Sequence, residues 1–231
     1  MRIALISDIH GNLPALRAVL QALPQVDLLL CAGDLVGYYP DVNEVCVAVR
    51  QSGAWTVRGN HDAYLLDLLP SDPDRRVAYR TDWSRAVLAE EQLSWLRALP
   101  SERIFCCGAW TIQLRHASPW DETTYLYPDA TALLARIDLP ENGILVVGHT
   151  HHPMVKRCGR GWLINPGSVG QPRDYCPEAS FAVVDLAEDC RVELHRVPYE
   201  VQAMQARLRH LGWAEEMVAI LSRTRASEAI G

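Results

Sequence analysis

The chain has no long hydrophobic run. No stretch of its 231 residues approaches the roughly 18 consecutive apolar residues of a membrane span, so no membrane partner is expected. An export leader is not expected either: the apolar run in MRIALISD is too short, and an acid follows at once. Basic charge is in deficit, with 22 Lys and Arg against 28 Asp and Glu, a net charge of −6 and a pI of about 5.7. That balance argues against a general basic surface for nucleic acid and leaves only a local basic groove open. No C-x-x-C pair occurs among the seven cysteines, which are odd in number and scattered, and adjacent Cys106 and Cys107 would point to opposite faces of a strand. Buried free thiols in a reducing cytoplasm are the reading that follows. Internal repeats, low-complexity segments and flexible linkers are also missing. With 49% hydrophobic and 22% charged residues the composition is that of an ordinary globular protein, read as a single domain over 1–231.

What the chain does have is a set of five short polar segments, each just after an apolar run. They are Asp8-Ile9-His10 after ALIS, Gly33-Asp34 after LLLCA, Gly59-Asn60-His61-Asp62 after AWTVR, His116 after WTIQLR, and Gly148-His149-Thr150-His151 after ILVV. Together they imply strands that end at one sheet edge and deliver Asp, His and Asn there. Carboxylate, imidazole and amide without thiolate suit Mn, Fe or Zn, and so many ligands suffice for two ions, an arrangement used to hydrolyse phosphate esters.

The rhythm around these segments predicts an α/β fold. Strands are expected at 2–7, 27–32 and 54–57, with helices at 13–22 and 41–51 between them, capped by Asn12 and Asp41. Residues 63–100 break the alternation: helices near 62–69 and 82–98 flank the turn-rich PSDPDRR, and the segment is expected to form a helical cap beside the metal cleft. Its Tyr64, Tyr79, Arg75, Arg76, Arg80 and Arg85 are candidates for substrate contact, while Trp83 and Trp95 read as the core of a helical hairpin. Strands 103–107, 110–115 and 143–147 follow, with a helix at 128–137. Hairpins come at 154–158/162–164 and 180–186/190–197. Helices are expected over 199–211 and 213–222, then a frayed tail over 223–231.

Segment by segment, Asp8 and His10 are two apart, which in a strand places both on one face; the plainer alternative is a surface pair. Asp34 has two oxygens and can bridge two ions, with Gly37 relieving crowding. Asn60 offers an amide oxygen, and His61 beside it is free to donate a proton. His149 and His151 supply two imidazoles, leaving His152 as a surface or supporting group; on local grounds alone a lone histidine such as His116 is more often structural. The loop Asn165-Pro166-Gly167-Ser168-Val169-Gly170 either aims backbone N–H groups at an anion or is a tight turn between hairpins, and Arg173 follows with a planar fork of donors. Trp120, Tyr125 and Tyr127 offer a stacking face for a base or simply pack a loop.

The ordered set D-x-H, GD-x-x-G, GNHD, H and GHTH resembles the calcineurin-like metallophosphoesterase superfamily, and NPGSVGQPR resembles its phosphodiesterase-like prokaryotic branch. The resemblance runs from residue 8 to about 173. It implies a four-layer αββα sandwich of two mixed sheets with a helical insertion, and two divalent ions (Mn, Fe or Zn) at the strand ends. One ion would be held by Asp8, His10, Asp34 and His151, the other by Asp34, Asn60, His116 and His149, with His61 as catalytic histidine. A hydroxide with its pKa lowered by the ions would attack phosphorus in line. The expected substrate is a small phosphodiester or nucleotide-type phosphoanhydride, contacted by Arg173, Ser168 and Gly167. Two departures stand out. Ala117 replaces a frequent glycine, and Gly37-Tyr38-Tyr39 occupies the stretch where protein phosphatases and symmetrical dinucleoside tetraphosphatases carry Asp-Arg-Gly. A phosphomonoesterase, or a non-catalytic scaffold of the same fold, is the alternative. The substrate, the native metal and the oligomeric state are left open.

Overall fold

The computed structural model describes residues 1–224. The first half of the chain winds β1 (Arg2–Ile6), α1 (Leu13–Ala22), β2 (Leu28–Cys31), α2 (Val42–Gln51) and β3 (Trp55–Thr56). Both crossovers are helical, so β1, β2 and β3 lie parallel, with Ile3 opposite Leu28 and Leu30 opposite Trp55. α1 starts where Asn12 accepts from the Ala15 amide at 3.2 Å, with Pro14 in the first turn. Asp41 differs from the capping role read from sequence: it makes no side-chain cap and instead pairs with Arg207 at 2.6 Å.

Then come α3 (Asn60–Leu65), α4 (Pro73–Ala78), α5 (Thr81–Val87) and α6 (Glu90–Ala98). The sequence reading missed α4, a short helix inside the turn-rich PSDPDRR capped by Asp72 onto the Arg75 amide at 2.8 Å. It also ran α5 and α6 together, although Leu88 and Ala89 take extended backbone between them. β4 (Glu102–Cys107), β5 (Trp110–Arg115), α7 (Thr131–Leu134), β6 (Gly143–Val146), β7 (Met154–Cys158) and β8 (Gly161–Asn165) follow. The helix expected over 128–137 thus shrinks to four residues. The chain returns through β9 (Ala179–Leu186) and β10 (Cys190–Val197), then α8 (Val201–His210), α9 (Glu215–Ala219) and a 3₁₀ turn at Ile220–Ser222. The frayed tail expected at 223–231 lies largely outside the described residues.

Two five-stranded mixed sheets result, ordered β10-β9-β1-β2-β3 and β4-β5-β6-β8-β7. Alternation along each strand feeds separate cores. Ile3, Leu5 and Leu30 meet Ile112, Leu114, Ile144 and Val146 between the sheets. Ala4 and Ile6 turn outward onto Leu16, Val19, Val45 and Val49 of α1 and α2. On the other outer face, Leu145, Val147 and Leu163 pack on Leu134 and Ile137 around α7, the thinnest layer. Trp83 and Trp95 pack against the α1–α2 core, and Trp83 meets Trp213 edge-on at 5.1 Å. All seven cysteines are free, but only Cys31, Cys46 and Cys158 are buried; Cys106 is exposed because it lies on the outer strand β4 and points away from the core. No described helix is long and apolar enough to cross a membrane.

Candidate metal centre

Loops leaving β1, β2, β3, β5 and β6 converge at one end of the two sheets. There the seven side chains Asp8, His10, Asp34, Asn60, His116, His149 and His151, with His61, are all at least nine-tenths buried. Three groups have donor atoms close enough to share a cation: Asp8 with His10 and His151, Asp34 with His116 and His149, and His10 with Asp34 and His61. Asp34 is central. Its Oδ2 lies 3.3 Å from His116 Nε2, 3.6 Å from His10 Nε2 and 4.0 Å from His61 Nε2, while its Oδ1 accepts from the His61 amide at 2.8 Å. Asn60 Oδ1 sits 2.9 Å from His116 Nε2.

The backbone that delivers these groups is not the strand expected for Asp8 and His10. β1 ends at Ile6, and both residues lie beyond it with left-handed φ of 55° and 52°. Asp34, His149 and His151 share that conformation, at 56°, 68° and 60°. For residues with a Cβ this region costs free energy, and it persists only where surrounding contacts over-determine it. Those contacts are present: the Ile9 and His10 amides both donate to Asp34 O, and the His149 amide donates to the Asp8 carboxylate.

Hydrogen bonding sets the histidine tautomers. His10 Nδ1 lies 3.0 Å from Val36 O, His116 Nδ1 2.6 Å from Ala32 O, His151 Nδ1 2.6 Å from Gln171 O, and His149 Nε2 3.0 Å from Thr123 O. A carbonyl oxygen only accepts, so each of these nitrogens carries the proton; the other ring nitrogen presents a lone pair in His10, His149 and His151, and in His116 once the proton that Asp34 attracts there is lost. That is the arrangement of metal-ligating histidines. The lone pairs of His10 and His151 consequently face each other, Nε2 to Nε2 at 3.1 Å, with Asp8 Oδ1 3.5 Å from the latter. Such a donor set repels itself and is satisfied by a shared cation, so the residues fit divalent metal.

Electrostatics agree in direction. Burial pushes the Asp8 carboxyl up to about 7 and His10 and His149 down to about 4 and about 3, keeping these imidazoles neutral. Burial also acts to raise Asp34, but the imidazoles of His116, His61 and His10 together outweigh it and hold the carboxyl well below its ordinary range. Burial acts to lower His116, yet Asp34 and Asp8 pull it up to about 10. His116 thus attracts a proton to the place where the geometry would seat a metal cation, and the two compete.

Asp62 is a functional residue the sequence reading passed over. Fully buried, it accepts from the amides of Asp34 and Leu35 at 3.0 Å, Val36 at 3.2 Å and Gly59 at 2.8 Å, tying the Asp34 loop to α3. Burial and the charge of Asp34 push its carboxyl up to about 7; four donors on its two oxygens oppose this, and we assign it as a carboxylate. Its place three residues after the helix N-cap Gly59 was the available signal.

His61 lies against Gly37, whose φ of 91° and lack of a side chain are both required, since a Cβ there would come within 2.5 Å of His61 Nδ1. Tyr79 packs over the His61 ring at 4.2 Å with Tyr64 stacked beyond it, so the 63–100 segment borders the centre. Its arginines are mostly engaged elsewhere: Arg76 and Arg85 pair with Asp67, and Arg80 stacks on Trp213. Tyr125 stacks on His149 at 3.8 Å with Tyr127 parallel to it, whereas Trp120 lies under Arg136.

The NPGSVG loop turns most of its donors inward. Ser168 Oγ donates to Asp8 O and accepts from the Gln171 amide, the Gly167 amide donates to Asn165 Oδ1, and the Val169 and Gly170 amides donate to Ser7 O and Asp8 O. Ser168, Val169 and Gly170 therefore brace the Asp8 turn, and Gly167 turns its amide back onto Asn165, so the donors of Gly167 and the Ser168 hydroxyl are spent within the fold. Arg173 differs: its guanidinium meets only neutral partners, Tyr38 Oη at 2.9 Å and Gln171 Oε1 at 2.7 Å.

Residues 1–189 match the family model of the calcineurin-like phosphoesterase superfamily domain. An uncharacterised protein of Methanocaldococcus jannaschii is 34% identical over 224 residues, covering 87% of this chain and 88% of that one. Phosphodiesterase YfcE of Escherichia coli K12 is 27% identical over 205 residues, covering 80% and 88%. The crystal structure of a metallophosphoesterase from Sphaerobacter thermophilus superposes with a TM-score of 0.79 at 35% identity, over 96% of this chain and 99% of that one. By the length of the family match, and by a centre whose carboxylates and imidazoles converge as a metal site requires, this chain belongs to the calcineurin-like phosphoesterase superfamily.

Proposed function

We propose that the protein is a dinuclear metal-dependent phosphohydrolase acting on a small phosphodiester or nucleotide-type phosphoanhydride. The observation that carries this reading is the shared Asp34 Oδ2, which faces imidazoles of two separate donor groups. Asp8, His10, Asp34 and His151 would hold one ion, and Asp34, Asn60, His116 and His149 the other. Two divalent ions there would lower the pKa of water and offset phosphate charge, and Mn, Fe and Zn all suit the donors.

The chain's own residues supply the rest. Asp34 aligns the two donor groups, and Asp62 holds Asp34's loop in place. Arg173 carries a positive charge with no carboxylate partner among the described residues, which suits a phosphate oxygen. His61, with Nε2 toward Asp34 and Nδ1 without a hydrogen bond, is placed to give a proton to the leaving oxygen. Tyr79 and Tyr64 beside His61, and Tyr125 over His149, line the approach with aromatic surface. The scaffold alternative is disfavoured by the complete donor set with His61 in place.

The test is kcat/KM for an aryl phosphodiester, a dinucleoside polyphosphate, an aryl phosphomonoester and a phosphoserine peptide, using metal-stripped protein reloaded with Mn, Fe or Zn. The diester or the polyphosphate should lead. Preference for the peptide overturns the substrate assignment, preference for the aryl monoester makes the protein a phosphomonoesterase, and metal binding without turnover supports the scaffold.

A further inference from the structure

The site holds a hydroxyl that the roles above do not use. Tyr38 is 7% exposed, has a left-handed φ of 58°, and its ring meets both His10 and His61 edge-on or tilted at 4.7 Å. Its backbone is anchored on two sides: its amide donates to Tyr79 O at 3.0 Å and its carbonyl accepts from Trp213 Nε1 at 2.6 Å. The phenol oxygen accepts from Arg173 Nη2, and among the described residues nothing accepts the phenol proton. Arg173 Nε and Nη2 are committed to Gln171 and Tyr38, while Nη1 makes no hydrogen bond among the described residues. Gln171 is held in turn, donating to Tyr39 Oη at 2.9 Å. The Arg173 backbone donates to His151 O, so this pair of side chains is tied to the metal centre through both His10 and His151.

Two unused donors thus lie side by side, one cationic and one neutral. We propose that Tyr38 is a specificity-determining residue that touches substrate: its phenol, set by Arg173, donates to a non-bridging oxygen of a monoanionic phosphodiester. This rests on the phosphohydrolase reading above. The reason for a diester is charge. A phosphomonoester dianion gains most from cations, whereas a diester has one negative charge spread over two non-bridging oxygens. A neutral O–H adds a hydrogen bond without adding positive charge, so it favours the monoanion relatively more.

The experiment compares wild type with Tyr38→Phe, which keeps the ring and both backbone anchors, on bis(4-nitrophenyl) phosphate and 4-nitrophenyl phosphate, with metal content measured in each sample. The diester kcat/KM should fall by about tenfold or more, the scale of a hydrogen bond to a charged group, and by more than the monoester value, with metals retained. The double variant Tyr38→Phe with Arg173→Gln should lose little beyond Arg173→Gln alone, because without Arg173 the phenol is no longer held in place to donate. An unchanged diester-to-monoester ratio overturns the proposal, as does an equal fall on both substrates accompanied by metal loss. If Tyr38→Phe does not fold, 3-fluorotyrosine placed at position 38, a stronger donor of nearly the same size, decides: the ratio must shift toward the diester, and no shift overturns the proposal. Wild-type protein inactive on both substrates would remove the phosphohydrolase reading itself, an outcome distinct from activity that ignores Tyr38.

Discussion

His10 and His151 point their Nε2 lone pairs at each other across 3.1 Å, each with its other nitrogen already donating to a backbone carbonyl. Neither ring can turn to relieve the contact without breaking a buried hydrogen bond. A divalent cation converts this repulsion into two bonds, so metal should stabilise the fold measurably. At a free metal concentration 100 times Kd the gain is about 2.7 kcal/mol. Thermal melting in chelator and then in excess Mn or Zn should show a clear rise, and identical melting curves would argue that the cluster does not bind metal.

Asp34→Asn should weaken both ions together, because a neutral amide bridges cations poorly. Metal analysis of the purified variant should find well under two equivalents, with turnover lost in proportion. Two tightly held ions and normal turnover would remove Asp34 from the bridging role.

His61→Ala should lower kcat by about 10²-fold or more while leaving metal content intact, the range for loss of a general acid. Its proximity to His10 and Asp34 makes metal content the informative readout, since loss of an ion would make His61 a ligand. Gly37→Ala should act in the same direction, because the added methyl would collide with His61 Nδ1 and the residue's φ of 91° disfavours any side chain. Wild-type kcat in Gly37→Ala would show that the position of His61 is unimportant.

Asp62→Ala should be among the most destabilising changes outside the apolar cores. Four buried amides lose their acceptor, at about 1–3 kcal/mol for each one left unsatisfied, so a loss of at least about 3 kcal/mol in denaturant unfolding is expected. Metal affinity should fall too, because Asp34 sits on the loop released. A loss below about 1 kcal/mol would mean that water or a rearranged loop satisfies those amides.

Asp121 supports the loop that carries Thr123, whose carbonyl orients His149. Burial acts to raise its carboxyl, but donors from Thr124 and Thr123 outweigh this and hold it below the ordinary value. A depressed folded-state pKa contributes stability above the unfolded carboxyl value, about 3.9, and loses it as pH falls through the folded value. The stability gap between wild type and Asp121→Asn should therefore be constant above about pH 5 and shrink toward pH 3. A gap that widens on acidification would reverse the sign and refute the assignment.

The α/β alternation, the strand ends that bear the polar segments and the identities of the clustered side chains were legible in the sequence, because apolar periodicity and short polar motifs are local properties. Local signals also gave the helix start at Asn12 and the β9–β10 hairpin. They misplaced what depends on partners distant in the chain. Asp41 looked like a cap until Arg207 took its carboxylate, and Ser168 looked like an anion donor until Asp8 and Gln171 used its hydroxyl. The left-handed turns at Asp8, His10, Asp34, His149 and His151 have no strong local preference behind them. They exist because backbone and carboxylate contacts between segments more than 140 residues apart hold them. The same contacts select each imidazole tautomer and leave Tyr38 and Arg173 with unused donors. Sequence determined which groups could meet; only tertiary packing decided which atoms face the centre, because a side chain's direction depends on which neighbours have already satisfied its backbone and its other polar atoms.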